Sequence, residues 1–367
     1  MAKIAIATDF HFGVHGDSPE FLKYQKRFFD EQFFPYLDKN GIKDIISLGD
    51  EFHSRKDINY NTLHKSKEML FDRVENEGYR LKIIVGNHST FHKEHNEVNS
   101  PNLLFSSYNN IEIIEEPTTL RYGSSKLLLI PWINKNNESE ILKAINDSEA
   151  EYLLGHFEIV GLKLLSNWEF SKGLDNSLID KFKEVWSGHY HLKLQKNNFL
   201  YLGTPYCIDW GDVFETKGFY IFDTELKKLT FIKNHLKIFH IIEYIDDIDV
   251  ENFDYKKYSD SYIRVVLNES IEGYHKFELF IKRLEEVSYE VKVNENFYDC
   301  IKIGDVNTAT TTTADDDADA DNKMGGHSET TIETIKKRCE EIEIVDKDKL
   351  FKLMNSAYLK SKELLNI

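Results

Sequence analysis

Ile4-Ala5-Ile6-Ala7-Thr8-Asp9-Phe10-His11 sets a short apolar run against a carboxylate and an imidazole. The construction recurs four times: Ile45-Ile46-Ser47-Leu48 before Gly49-Asp50, Ile83-Ile84-Val85 before Gly86-Asn87-His88, Tyr152-Leu153-Leu154 before Gly155-His156, and Val185-Trp186-Ser187 before Gly188-His189-Tyr190-His191. Apolar runs of this length predict buried strands. Polar groups at strand carboxyl ends face the crevice where open α/β sheets bind ligands. Alternating strands and helices followed by a β-rich second half predict an α/β fold: a two-sheet sandwich flanked by helices, with the polar loops along one rim.

Two helical stretches lie between the first strands. Residues 21–37 carry Phe28, Phe29, Phe33 and Phe34 as a buried face; residues 61–78 carry Leu63, Met69, Leu70 and Val74 and close on Gly78 in the C-cap position. A strand is expected over 111–114, then a hairpin of 119–122 with 126–130 turning at Gly123-Ser124-Ser125, then strands at 200–202 and 218–222. These belong to a first domain, residues 1–235. Residues 236–305 predict a small α+β cap, with strands at 240–245, 262–267 and 289–293 and an amphipathic helix over 274–287. The cap has no cluster of catalytic residue types, so shaping the substrate site is its economical role. Residues 306–330, Thr-rich and Asp-rich, lack the apolar surface to offset ordering entropy and predict a disordered linker. Beyond it, Ile332, Ile335, Cys339 and Ile342, then Leu350, Leu353, Met354, Ala357, Tyr358, Leu364 and Leu365, recur at helical spacing. A helix pair over 331–367 beyond a tether reads as a docking module for another chain, the alternative being that it folds back on the main body.

Asp9, His11, Asp50, Asn87, His156, His189 and His191 form a mixed oxygen and nitrogen donor set that suits Mn²⁺, Fe²⁺ or Zn²⁺, whereas all-oxygen cages suit Mg²⁺ or Ca²⁺. Two ions about 3.5–4 Å apart need a shared ligand. Asp50 offers two oxygens and is the natural bridge; Asp9, His11 and His191 would complete one ion, and Asn87, His156 and His189 the other. Such a pair activates water and polarises phosphoryl oxygens, which points to phosphoester hydrolysis. His88, beside Asn87, and His53, three residues after Asp50, are the candidate catalytic imidazoles. Each cluster alone has a plainer explanation, such as a turn-capping Asp or a satisfied core histidine. The five together, each at a strand end, favour the metal site.

The chain has 367 residues, 41% hydrophobic, with 25 Phe and 19 Tyr, ample for more than one core. Cys207, Cys300 and Cys339 are far apart and odd in number, which argues against a disulfide framework. The first residues run straight into a strand rather than a signal peptide, and no apolar stretch reaches the ~18–20 residues of a membrane span. A soluble, cytoplasmic protein without a membrane partner is expected. The net charge of −17 argues against an unaided grip on nucleic acid, whose affinity rests on phosphate neutralisation. It leaves nucleic acid open as a substrate if a partner supplies the basic surface.

The order D-x-H, G-D, G-N-H, G-H, G-H-x-H resembles that of the calcineurin-like metallophosphoesterases. Gly49-Asp50-Glu51-Phe52-His53 resembles the G-D-x-F-H of their SbcD-type (meiotic-recombination nuclease) branch, and Gly203-Thr204-Pro205 the loop after its last metal strand. Ile130-Pro131-Trp132 and Tyr201-Leu202-Gly203-Thr204-Pro205 look like phage members of that branch. The resemblance implies two metal ions, Mn²⁺ first with Mg²⁺, Fe²⁺ or Zn²⁺ as substitutes. It implies a 3′-5′ exonuclease on double-stranded DNA and an endonuclease on single strands, serving recombination, repair and end processing. It further implies an SMC-like, SbcC-type ATPase subunit bound through 331–367, a homodimer through helices within 21–78, and the host cytoplasm if the chain is viral. The alternative is a small-molecule phosphodiesterase or phosphatase of the same superfamily, which has no need of a cap and a tethered helix pair. One departure stands out: the family reads G-N-H-D, and here Ser89 follows His88, so a carboxylate beside the catalytic imidazole is missing.

Overall fold

The computed structural model describes residues 3–92, 94–160, 173–267 and 274–294. The linker expected over 306–330 and the helix pair expected over 331–367 lie outside the described residues. The chain divides into two compact units.

The first unit is built on two six-stranded sheets. One runs, in spatial order, Lys228–Lys233, Gly218–Asp223, Lys3–Ala7, Asp44–Ser47, Arg80–Ile84 and Ile111–Ile114. Its last four strands are parallel, and Gly218–Asp223 pairs antiparallel with both neighbours. The other runs Leu194–Lys196, Phe199–Tyr201, Glu184–Ser187, Tyr152–Gly155, Ser125–Ile130 and Thr118–Tyr122, with a parallel centre and antiparallel edges. Residues alternating along the strands of both sheets meet in one core: Ile4, Ile6, Ile46 and Phe222 from the first, Leu127, Leu129, Leu154 and Trp186 from the second. This is the α/β sandwich expected from the sequence. The hairpin turns on Gly123-Ser124, with Tyr122 paired to Ser125 and Gly123 at φ +57°.

Helices cover the first sheet with an aromatic layer. The expected 21–37 helix is Pro19–Arg27 and Phe34–Lys39 joined through a π-helical turn, Phe28–Phe33. The 61–78 stretch likewise contains a π-turn at Lys67–Phe71. A π-turn brings residues five apart onto one face. Phe28 and Phe33 (ring centroids 5.8 Å) and Phe29 and Phe34 (6.0 Å) therefore point the same way, and all four are fully buried.

The second unit takes the described residues from Lys237 onward together with Cys207–Glu215. Its parallel sheet of Phe239–Tyr244, Tyr262–Leu267 and Glu290–Asn294 packs with the helix Tyr274–Glu285 around Val265, Phe277, Phe280 and Leu284. The sequence assigned Cys207–Glu215 to the first domain. Its place in the second follows from Trp210, whose ring packs tilted 4.7 Å from Phe239 and carries the buried Arg264 guanidinium 3.8 Å above it. Among the described residues no helix is long and apolar enough to cross a membrane.

Candidate metal centre

The parallel strands of both sheets end at one rim, and their loops pair with one another. Past the Lys3–Ala7 and Asp44–Ser47 strands, His11 N–H donates to Asp50 O (3.0 Å), Phe12 N–H to Glu51 O (2.7 Å) and His53 N–H to Phe12 O (3.0 Å). Alternation then sorts the side chains. Asp9 and His11 turn to the rim, while Phe10 and Phe12 go down onto Phe29, with ring centroids 5.4 and 6.0 Å away. Phe52 does the same 5.9 Å from Phe12. Asp9, His11, Asp50 and His189 hold left-handed backbone at φ 54°, 46°, 58° and 81°. Such strain costs about 1–3 kcal/mol per residue and gathers at functional sites. Burying each Phe returns about 1.5–3 kcal/mol, enough to sustain it.

Two clusters of donor atoms result. In one, His11 Nε2 and His191 Nε2 lie 2.9 Å apart, with Asp9 Oδ1 3.6 and 3.8 Å from them. In the other, Asn87 Oδ1 is 2.8 Å from His156 Nε2 and 2.9 Å from His189 Nδ1, and Asp50 Oδ2 is 3.1 Å from His156 Nε2. Donor atoms of Asp9, Asp50 and His156 fall within 4.8 Å of one another, so the clusters adjoin. All seven expected donor residues thus converge. Asp9 Oδ1 is buried without a hydrogen-bond partner, and this orphaned oxygen among imidazole nitrogens fits a cation. Two glycines make the crowding feasible. A Cβ on Gly86 would sit 2.2 Å from Asp50 Oδ1, and one on Gly188 would sit 2.1 Å from Thr8 Oγ1 and 2.9 Å from Asp9 Oδ2.

Charge follows the same pattern. Burial raises the Asp9 carboxyl, but the His11 imidazole close by and the charges of His156 and His191 override it and hold it at about 2. Burial also opposes ionisation of Asp50, yet His156 and His88 hold it far below the ordinary range. Burial and His11 push His191 well down, leaving a neutral ring. His156 is held up at about 9 against its burial by Asp50 and Asp9.

His53 and His88 sit together beside His11, their rings stacked at 5.8 Å, and their nitrogens group with those of His11. Burial lowers His88 to about 4 and His53 to about 3. His88 N–H donates to Asp50 Oδ1 (2.8 Å), and its Nδ1 bonds the His53 carbonyl. That carbonyl orients the ring without the family's missing carboxylate, while the Ser89 hydroxyl closes the turn by accepting from Gly86 N–H at 3.3 Å.

Several residues to which the sequence patterns gave no role hold the site. Gln25 is fully buried, and its Nε2 donates to Phe10 O (3.0 Å), His11 O (3.4 Å) and Tyr206 Oη (3.1 Å); Tyr206 O–H donates to Phe10 O at 2.5 Å. Trp132 lays its ring 5.2 Å from His189. Glu51 is buried beside Asp50 with its carboxyl pushed up to about 7, accepting from Ser47 Oγ at 2.6 Å. A lone Gln in an aromatic helix carries no motif; only the fold shows what it touches.

No family model matches the chain. Exonuclease subunit 1 of Enterobacteria phage T4 is 33% identical over 291 residues, which make up 79% of this chain and 83% of that protein. The chain belongs to the SbcD-type branch of the calcineurin-like metallophosphoesterases. Two solved structures overlap this metallophosphoesterase loosely. An archaeal phosphodiesterase has a TM-score of 0.33 and 11% identity, covering 63% of this chain and 99% of its own. A protein of unknown function from Aquifex aeolicus has a TM-score of 0.26 and 15% identity, covering 42% and 78%.

Gln25→Leu removes the donor to His11 O and leaves buried oxygens unpaired. Denaturant unfolding of the metal-free protein is expected to show a loss of about 1–3 kcal/mol. Unchanged stability would mean that Gln25 does not hold the Asp9–His11 loop.

Proposed function

We propose that this metallophosphoesterase is the nuclease subunit of an SbcCD-like nuclease–ATPase complex. It hydrolyses DNA phosphodiesters with two divalent ions, as a 3′-5′ exonuclease on double-stranded DNA and an endonuclease on single strands, in recombination, repair and end processing. The observation that carries the reading is the convergence of the seven donor side chains in two adjoining clusters, one holding the orphaned Asp9 Oδ1. Asp9, His11 and His191 would hold one ion, Asn87, His156 and His189 the other, and Asp50 would be shared. Ions bound there acidify water and polarise the phosphoryl group, and Mn²⁺ suits the mixed donors, with Fe²⁺, Zn²⁺ or Mg²⁺ as substitutes.

The chain's own contribution is orientation and proton transfer. His88, fixed through Nδ1 on the His53 carbonyl, keeps Nε2 for substrate. Burial keeps its ring neutral, and an anionic phosphodiester nearby favours the imidazolium. His88 then gives that proton to the leaving oxygen, and His53, stacked on it, backs the transfer. The net charge of −17 is consistent with a partner that supplies the basic surface for DNA, and the phage relative is itself called a subunit. Residues 331–367 are the segment assigned to the ATPase, and residues 21–78 to pairing with a second copy. Sedimentation of the full chain reads out that pairing as a doubled mass; a monomer at micromolar concentration would rule it out.

On end-labelled linear duplex with Mn²⁺, the native chain is expected to release label from the 3′ end. Asp50→Ala and His88→Ala are each expected to lose at least 100-fold in rate, since general acid catalysis alone contributes about 10²–10⁴-fold. Hydrolysis of a chromogenic phosphodiester without DNA digestion, even with the ATPase and ATP added, would point to a small-molecule phosphodiesterase instead. Removal of residues 331–367 is expected to abolish co-purification with the ATPase while sparing Mn²⁺-dependent digestion; retained co-purification would refute the docking assignment.

A further inference from the structure

His189 enters the centre differently from the other imidazoles. His11, His191 and His156 turn Nε2 inward, and His156 places Nδ1 2.7 Å from Leu48 O. His189 turns Nδ1 inward, 2.9 Å from Asn87 Oδ1, and directs Nε2 at Glu158 Oε1, 3.0 Å away. An ionised carboxylate only accepts, so the contact requires a proton on Nε2. In the neutral ring that leaves the Nδ1 lone pair facing the donor cluster.

We propose that Glu158 is a positioning residue that fixes His189 as the Nε2–H tautomer and presents Nδ1 to the metal position shared with Asn87 and His156. The inference rests on the metal reading of this site. Rotating the ring half a turn would exchange both nitrogens for carbons and lose the bond to Glu158, and Trp132 packs 5.2 Å from the same ring. Glu158 is itself held. Leu174 N–H donates to its carbonyl at 2.9 Å, and a Cβ on Gly173 would lie 2.4 Å from that oxygen. The loop after the Tyr152–Gly155 strand therefore supplies one donor residue, His156, and the orienting group of another. The pair is partly exposed, with side chains 18% and 24% accessible, so its value lies in orientation rather than in stability.

The test compares native protein, Glu158→Ala and Glu158→Gln. Two-bond ¹H–¹⁵N spectra of histidine-labelled, metal-free protein at pH 8 read the His189 tautomer, and calorimetry with Mn²⁺ reads each binding step. The native chain is expected to show Nε2–H. Glu158→Ala is expected to lose that preference and to bind the weaker Mn²⁺ about 10–100-fold less tightly. Glu158→Gln, whose amide oxygen still accepts, is expected to keep the tautomer and most of the affinity. A Glu158→Ala protein with native tautomer and native Mn²⁺ binding overturns the proposal. A native chain that takes up no Mn²⁺ would instead refute the metal reading, and the tautomer comparison would still decide what Glu158 does to the ring.

Discussion

Seven acceptor-rich side chains pressed together, five of them buried, form an arrangement that protein alone does not favour. Asp9 Oδ1 has no hydrogen-bond partner, two imidazole nitrogens face each other at 2.9 Å, and one amide oxygen serves two histidines. Unpaired buried polar groups cost about 1–3 kcal/mol each, and buried like charges cost more. A fold that keeps such a cluster must either neutralise it or hold it against its own repulsion. Asp50 and Asp9 raise the His156 imidazole, which makes it a partial neutraliser within the chain; a divalent cation is a far better one.

The surrounding architecture reads as the means of holding the cluster. Parallel strands deliver Asp9, Asp50, Asn87, His156 and His189 to one rim from two sheets. Left-handed backbone at four of the donor residues turns their side chains inward, and Gly86 and Gly188 clear the space a methyl group would occupy. Beneath, the Phe10, Phe12, Phe28, Phe29, Phe33 and Phe34 layer supplies the apolar burial that outweighs the strain. The π-turn that aligns those rings also lies in the element that carries Gln25 toward the Phe10 and His11 carbonyls. The aromatic helix is therefore part of the site's support as well as of the core.

Strands and the polar residues that cluster at their ends were legible in the sequence because both are local. A run such as Ile4-Ala5-Ile6-Ala7 announces a buried strand, and the residue types that follow announce the chemistry. Less was legible where the signal is weak. The Thr90–Asn99 hairpin is polar, built on His92, His95, Asn96 and Asn99, and the Lys228–Lys233 strand lies at a sheet edge with half-exposed side chains. The Glu138–Asp147 helix is short, with only Ile141 and Ile145 buried. What the sequence could not carry were contacts between distant positions: Gln25 with Tyr206, His88 with the His53 carbonyl, Glu158 with His189, and Trp210 with Arg264. The last of these moves Cys207–Glu215 out of the unit to which sequence order had assigned it.

The central claim is that the two donor clusters hold two ions sharing Asp50. Electron paramagnetic resonance of the Mn²⁺-reconstituted chain tests it most directly, because ions about 3.5–4 Å apart with a common ligand couple magnetically. The account predicts a coupled, multiline dinuclear spectrum that collapses to an isolated-ion spectrum in Asp50→Ala. An isolated six-line spectrum from the native chain at saturating Mn²⁺ would contradict it.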